Sequence, residues 1–216
     1  MSFATMLKEL LTGLLTSFGI FALTLLFSLP LGLVVAFGRM SKNKIISAIT
    51  QVYISIMRGT PLMLQLLVVF YGPYYMFGIS LHPTYRFISV IIGFSLNYAA
   101  YFAEIYRGGI ESIPKGQYEA GQVLGLTKTQ IFFKVVLMQV IKRIMPPIAN
   151  EVITLVKDTA LARVIMIVEI IQAAQNYAAY GLMWPLFYTA VFYLVVVGLL
   201  TLLFGHLEKK MNYYRS

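Results

Sequence analysis

The sequence predicts an all-α integral membrane protein with five transmembrane helices, and three observations carry that prediction. Of the 216 residues, 59% are hydrophobic and 12% charged, against about 25% charged in soluble domains, and the mean hydropathy is +0.80. Long uncharged runs separate Glu9 from Arg39, fill Phe87 to Ala103 and extend from Ile170 to Gly205; about 20 apolar helical residues cross roughly 30 Å of hydrocarbon. The Lys and Arg residues gather in short segments between those runs, as membrane topology requires.

Composition also excludes function classes. A net charge of +9 would favour nucleic acid in a soluble protein, but here positive-inside topology accounts for it, so no nucleic-acid partner is expected and lipid is the surrounding phase. With no cysteine, disulfides and thiol chemistry are excluded, and His82 and His206 alone, near loop and tail, give no expectation of a metal centre. Residues 1–9 hold one basic residue, Lys8, and no cleavage site is evident downstream, so the first apolar run is expected to remain as a span.

The first span is placed at 12–38, with a kink at Pro30. Arg39, Lys42 and Lys44 follow it at once, which puts its end in the cytoplasm and the N-terminus outside. Residues 45–57 are apolar but interspersed with Ser, Thr and Gln, and Arg58-Gly59-Thr60-Pro61 interrupts before LMLQLLVVFYGPYYMF, so the second span is a helix in two parts. Three turn signals between Gly72 and Pro83 read as an external loop. The third span occupies Phe87 to Ala103.

A polar segment, 104–143, follows on the cytoplasmic side. Pro114 suits a first helical position and Gly125 the left-handed residue past a helix end, which predicts a short helix over 114–124. Thr127 and Gln130 have capping-box spacing, and Ile131, Phe132, Val135, Val136 and Val140 recur at helical intervals, predicting an amphipathic helix along the inner membrane surface. Pro146-Pro147 opens the fourth span, in which Glu151, Lys157 and Asp158 interrupt an apolar helix. Tyr177, Tyr180 and Trp184 fall where an outer aromatic belt would lie, before a fifth span at about 185–205. This arrangement places 12 of the 17 Lys and Arg inside and only Lys8, Arg86 and Arg163 outside. The C-terminus is therefore cytoplasmic.

Three motifs carry a family resemblance. YAAYFAEIYRGGIESIPKGQYEAGQVLG (98–125) resembles the cytoplasmic "EAA" loop of permease subunits of bacterial ATP-binding cassette (ABC) importers, in particular the subfamily for polar and charged amino acids (histidine, arginine and glutamine permeases). RGTPLMLQ (58–65) looks like that subfamily's second-span signature, and PPIANEVITLVKDTAL (146–161) like its fourth-span signature. The likeness covers roughly 10–205, so the chain reads as a single permease domain, 1–216, with a coupling loop at 104–143. It departs from the pattern at Gly121, where the family has a second alanine, at Leu137-Met138 and at Thr159-Ala160-Leu161. Gly121 is expected to weaken the short helix, since glycine costs about 1 kcal/mol against alanine in a helix interior.

The resemblance implies a transport subunit working as a dimer, with an identical copy or a paralogue, in the bacterial cytoplasmic membrane. It further implies two ATP-binding cassette subunits that hold ATP and Mg, and an external amino-acid-binding protein. The short helix would seat in the cassette subunit through Gln117, Glu119, Ala120, Gly121, Leu124 and Gly125. No nucleotide site is expected in this chain, because GLTKTQ (125–130) lacks the G-x-x-x-x-G-K-[ST] order of a phosphate loop. No catalytic residue is expected: there is no G-x-S-x-G, and neither His lies inside a span. A passive channel would have no use for the 107–143 segment.

Charges inside a span cost about 2.5–3.5 kcal/mol each on insertion scales, so they face a cavity or each other. At 100° per residue Glu151, Thr154 and Asp158 share one side of the helix, with Asn150 and Lys157 on its flank. With Ser95, Asn97 and Tyr98 of the third span, that stripe could hold the ammonium and carboxylate of an amino acid. Glu151 is the first candidate for a cationic group and Asp158 the second, which favours arginine, lysine or histidine as cargo; glutamine or another neutral polar amino acid is the alternative. A structural network in which Lys157 pairs with a carboxylate is the competing account of the stripe. Arg58 either grips a substrate carboxylate, or snorkels to the inner surface or caps the helix break, and Asn97 is either a substrate contact or an interhelical hydrogen bond.

Overall fold

The computed structural model describes residues 3–80 and 82–211, and every regular element among them is helical. Helix α1 (Phe3–Arg39) continues through Pro30. Its buried positions, including Gly13, Ser17, Ile20, Thr24, Ser28, Gly32 and Ala36, recur three or four residues apart. Most are small, and small residues let helix backbones approach closely in a membrane. The seam faces α4 (Pro83–Glu111). The contact is tight enough that a Cβ on Gly32 would lie 2.8 Å from the Phe102 Cβ.

Helices α2 (Lys44–Gly59) and α3 (Leu62–Phe77) are the two parts of the interrupted second span, bent by 109°. Thr60 is extended (φ −120°, ψ 149°), the backbone region to which a following proline restricts a residue. Helix α3 does not stop at Gly72-Pro73; it runs on to Phe77 and ends at Gly78, in the left-handed region at φ 65°. The expected loop therefore contracts to 78–82, of which Leu81 lies outside the described residues. Pro73 is tolerated because the carbonyl it leaves without an N–H, that of Val69, accepts the Tyr85 hydroxyl at 2.9 Å.

Pro114 caps α5 (Lys115–Val123), and Gly125 follows at φ 72°. The Leu126 and Gly125 amides return to the carbonyls of Gly121 (3.0 Å) and Gln122 (2.9 Å), the bonds that close a left-handed helix end. Thr127 and Gln130 form the capping box at the start of α6 (Lys128–Ile131). A π-helical turn, Phe132–Val136, leads directly into α7 (Leu137–Asp158). Two expectations are thereby corrected. Pro146 and Pro147 lie inside α7 rather than opening it, held by packing of Val140 and Ile144 on one side and Ala149 and Val152 on the other. The apolar face of 131–144 is not spread on a membrane surface: Ile131, Val136, Val140 and Ile144 form a core with Ile113.

Beyond α7 the chain tightens into a 3₁₀ segment, Thr159–Ile165, then turns at Met166 (φ 63°). Glu169 caps α8 (Ile170–Ala178), its two carboxylate oxygens accepting from the Ile171 (2.8 Å) and Gln172 (2.7 Å) amides. Tyr177 is no belt residue: it is buried against Met6 and Leu10 and donates to Glu9 Oε2 at 2.6 Å. Trp184, at the start of α9 (Trp184–Met211), stacks on Phe3. Helices α1, α4 and α9 are long and apolar enough to cross a membrane, and the α2–α3 pair qualifies together as one broken span. Helix α7 falls short of that apolarity because it carries Lys142, Arg143, Glu151, Lys157 and Asp158.

Candidate functional site

Helix α4 presents tyrosines and charges at three-residue steps. Tyr98, Tyr101, Glu104 and Arg107 thus wind around the helix by about 60° per step toward its end. The Tyr98 hydroxyl donates to Asp158 Oδ2 at 2.7 Å. Tyr101 lies under the Arg58 guanidinium, whose carbon is 5.2 Å from the ring centroid. Glu104 is held by Arg107, from Nε to Oε1 (3.1 Å) and from Nη2 to Oε2 (2.6 Å), and Arg58 Nη1 reaches the same carboxylate at 3.9 Å. Arg107 also bonds Glu111 Oε2 at 2.6 Å.

These groups border a half-open cavity of about 480 Å³ between the α2–α3 break, α4 and α7. Glu151 of α7 lines it opposite Arg58 and Glu104, with Arg143 and Pro147 completing the α7 wall. Arg143 is itself anchored, Nη1 donating to the Ser112 carbonyl. Glu151 is half-buried and makes no hydrogen bond or salt bridge among the described residues. A carboxylate without a hydrogen bond and a guanidinium stacked on a ring thus face one cavity.

The structure separates the residues that the sequence grouped. Glu151 and Arg58 meet at the cavity, while Asp158 is engaged by Tyr98 further along α7. Thr154, half-buried, lies between the two acids, and Lys157 is exposed and forms no salt bridge among the described residues. Asn97 turns toward the helix break instead: its Nδ2 donates to the Met57 carbonyl and to Gln65 Oε1, each at 3.0 Å. Gln65 Nε2 in turn donates to the carbonyls of Met57 (2.9 Å) and Thr60 (3.1 Å), so these two side chains, not Arg58, satisfy the broken backbone. Ser95 is buried among Leu23, Phe27 and Phe87, with no partner for its hydroxyl among the described residues. Asn97 leaves the other two because it sits about 100° or more around α4 from each, while Ser95 lies nearly one turn before Tyr98. Tyr101, Glu104 and Arg143 join the cavity although sequence reasoning missed them there.

The second candidate surface is α5. Gln117, Glu119 and Ala120 are exposed, as are Val123 (88%) and Leu124 (77%) beyond them. Gly125 is open on all sides. Gln117 is steadied by Gln139, whose Nε2 donates to its Oε1 at 3.2 Å. Gly121 differs from its neighbours in being buried, facing Ile131 rather than the outside, so it positions the helix and offers no contact surface.

Apolar crossing helices, a broken helix beside a charged cavity and a short projecting helix are parts of a transporter's membrane subunit. Residues 28–213 match the family described as binding-protein-dependent transport system inner membrane component, and the chain belongs to that family. It is 38% identical over 195 residues to the L-cystine transport system permease protein of Bacillus subtilis (strain 168), covering 89% of this chain and 82% of that protein. It is 34% identical to the arginine transport system permease protein of the same organism, over 94% of this chain and 92% of the relative. A putative glutamine transport system permease protein of Rickettsia felis is 32% identical over 92% of this chain and 91% of its own length. Among solved structures, an amino acid ABC transporter crystallised with histidines superposes with a TM-score of 0.85 at 30% identity, over 97% of this chain and 99% of that one. The methionine ABC transporter MetNI in an inward-facing conformation shares the fold, with a TM-score of 0.72 at 19% identity over 98% and 99% of the two chains.

The chain is accordingly a membrane permease subunit of an amino-acid ABC transporter, a transport component rather than an enzyme. Family membership brings an ATP-binding cassette partner and a substrate-binding protein with it.

Proposed function

We propose that the cavity bounded by Arg58, Tyr101, Glu104 and Glu151 is the point at which this permease holds a polar amino acid during import, with Glu151 receiving its ammonium group. The observation that supports this most directly is the state of Glu151: half-buried, facing a cavity of about 480 Å³, and engaged by no hydrogen bond or salt bridge among the described residues. A cationic side chain, such as that of arginine, lysine or histidine, would need Glu104 or Asp158 as a second carboxylate. A neutral one, such as glutamine's, would leave Glu104 to Arg107 and Asp158 to Tyr98.

In this reading two permease copies, identical or paralogous, enclose the pathway in the bacterial cytoplasmic membrane. Each chain crosses it five times, with α7 as the charged fourth span, the N-terminus outside and the C-terminus cytoplasmic. The loop 104–143 couples each copy to one of two cassette subunits, which bind and hydrolyse ATP with Mg. Contacts run through Gln117, Glu119, Ala120, Leu124 and Gly125, and an external binding protein delivers the amino acid. The exposure of Val123 and Leu124 at the tip of α5 favours such a seat, because large apolar side chains presented together to water mark an interaction surface.

The test is ATP-driven amino-acid uptake by proteoliposomes holding the permease and its cassette subunit, with Glu151→Gln alongside. Loss of uptake with retained basal ATP hydrolysis is expected. Full uptake by Glu151→Gln would remove the cavity from the pathway.

A further inference from the structure

We infer that the crevice between α1, α7 and α9 is a binding site for one acyl chain of a membrane lipid. It is a different cavity from the charged one between the helix break, α4 and α7, and the inference does not depend on how cargo is held there.

The crevice has a volume of about 250 Å³. Leu14, Phe18 and Phe21 of α1 form one wall, and Phe192, Val196 and Leu200 of α9 the other. Val156 of α7 and Thr159 of the 3₁₀ segment, both buried, form the floor. The gap exists because α9 packs on α7 and α8 rather than along α1. Phe18 is 63% exposed, so the crevice opens on the surface between the two helices.

Backbone groups already occupy most of the polar atoms that line it. Ser17 Oγ donates to the Gly13 carbonyl (3.2 Å) and accepts from the Ile170 amide (3.4 Å), and Thr159 Oγ1 donates to the Val156 carbonyl (2.8 Å). That leaves the Tyr193 hydroxyl, which has no hydrogen-bond partner among the described residues. An ordered water takes about two to four polar partners, whereas an apolar cavity of roughly 150 Å³ already stays dry and admits a benzene-sized ligand. The crevice therefore suits an apolar occupant rather than water.

Its depth identifies that occupant. At about 1.5 Å per residue, Phe192 to Leu200 lie about 12–24 Å along α9 from Trp184, and Leu14 to Phe21 about 17–27 Å along α1 from Phe3. Both stretches fall within hydrocarbon about 30 Å thick, where lipid chains are the medium and water is absent. The surface of α9 beside the mouth is of the same kind, with Leu194, Leu199 and Leu202 at 72%, 62% and 73% exposure. Packed interiors leave few voids larger than a water molecule, so a chain end enters the crevice instead of bridging over it. Thr159 follows Asp158 directly, which sets an inserted chain against the junction where α7 tightens into its 3₁₀ continuation.

Photolabelling tests this. The permease–cassette complex is reconstituted in phosphatidylethanolamine and phosphatidylglycerol with a trace of phosphatidylcholine bearing a mid-chain diazirine, and labelled residues are mapped after photolysis. Label is expected on the inner residues Val156, Thr159 or Phe21 as well as on Leu199 and Leu202 at the open surface. Val196→Phe, which fills the crevice, should lose the inner label and keep the surface label, while Val196→Ala, which widens it, should keep both. Basal ATP hydrolysis and co-purification with the cassette subunit check that each variant is assembled; should Val196→Phe not assemble, Leu14→Phe fills the crevice from the α1 side. Label confined to the open surface in the wild type, or inner label unchanged in the filled variant, overturns the inference. Because the chain has no cysteine, Phe18→Cys reports on another occupant. A disulfide between two permease copies through that position would put a second subunit over the mouth, and would also overturn it.

Discussion

The hydroxyl of Tyr98 donates to Asp158 Oδ2 across 2.7 Å and ties the middle of α4 to the last residue of α7, where the helix tightens into its 3₁₀ continuation. Tyr98 is almost wholly buried. The bond therefore fixes two elements that line the cavity. It also gives Asp158, the acid of the Lys-Asp pair, an internal partner.

Tyr98→Phe removes that donor and leaves a half-buried carboxyl without it, and a bond of this kind contributes about 1–3 kcal/mol. A lower thermal midpoint for the purified subunit in detergent is the expected result. Asp158→Asn keeps an acceptor for the hydroxyl and should cost less. Equal stability of Tyr98→Phe and wild type would show that Asp158 is held by something else.

The break between α2 and α3 depends on a pair of side-chain amides. Asn97 and Gln65 bond each other at 3.0 Å and share the Met57 carbonyl. Asn97→Ala and Gln65→Ala should each destabilise the subunit by about 1–3 kcal/mol, with a coupling of about 0.5–3 kcal/mol in the double mutant because both act on one network. Additive effects in thermal unfolding would show that the two amides work independently.

Much of this was legible from the chain because it depends on local chemistry. The capping box at Thr127 and Gln130, the left-handed Gly125 and the interruption at Arg58–Pro61 are each set by residues within a few positions of one another. What was not legible depends on distant partners. Gly72-Pro73 read as a turn because nothing nearby says that Tyr85 will satisfy the Val69 carbonyl. Pro146-Pro147 read as a helix start because the packing that carries α7 through it comes from residues far away in sequence. Within the candidate site, Glu151 and Arg58 were found by their cost inside an apolar segment. Glu104 and Arg143 had looked like ordinary charges of a polar loop, and only the tertiary arrangement turns them into a cavity wall.

The tip of α5 gives a separable prediction about assembly. Leu124 is 77% exposed and its backbone caps the helix, so Leu124→Asp should change the stability of the isolated subunit by no more than about 0.5 kcal/mol. Co-purification with the cassette subunit should be lost. Gly125→Asp places a side chain at φ 72°, which adds a backbone cost of about 1–2 kcal/mol, so it should lower both cassette binding and stability. Intact co-purification of Leu124→Asp would move the cassette seat away from α5.

Gly121 stands where the family pattern has alanine, and from helix propensity alone Gly121→Ala should stabilise α5 by about 1 kcal/mol. The packing predicts the opposite sign. A Cβ at 121 would sit 2.6 Å from Ile131 Cγ1 and 3.0 Å from its Cδ1. Ile131 is buried in the core formed by Ile113, Val136, Val140 and Ile144, so its branched side chain cannot swing away freely. Overpacking of that kind costs about 1–3 kcal/mol, more than the propensity gain. Gly121→Ala should therefore lower the thermal midpoint in the wild-type background. Ile131→Ala is destabilising in itself, by about 2–5 kcal/mol through the cavity it leaves, but it removes every atom that the new methyl would strike. In that background Gly121→Ala should become neutral or stabilising. The change of sign between the two backgrounds, read from thermal unfolding of four proteins, isolates the contact. Stabilisation by Gly121→Ala with Ile131 intact would mean that α5 and α6 are not packed as tightly as these distances require.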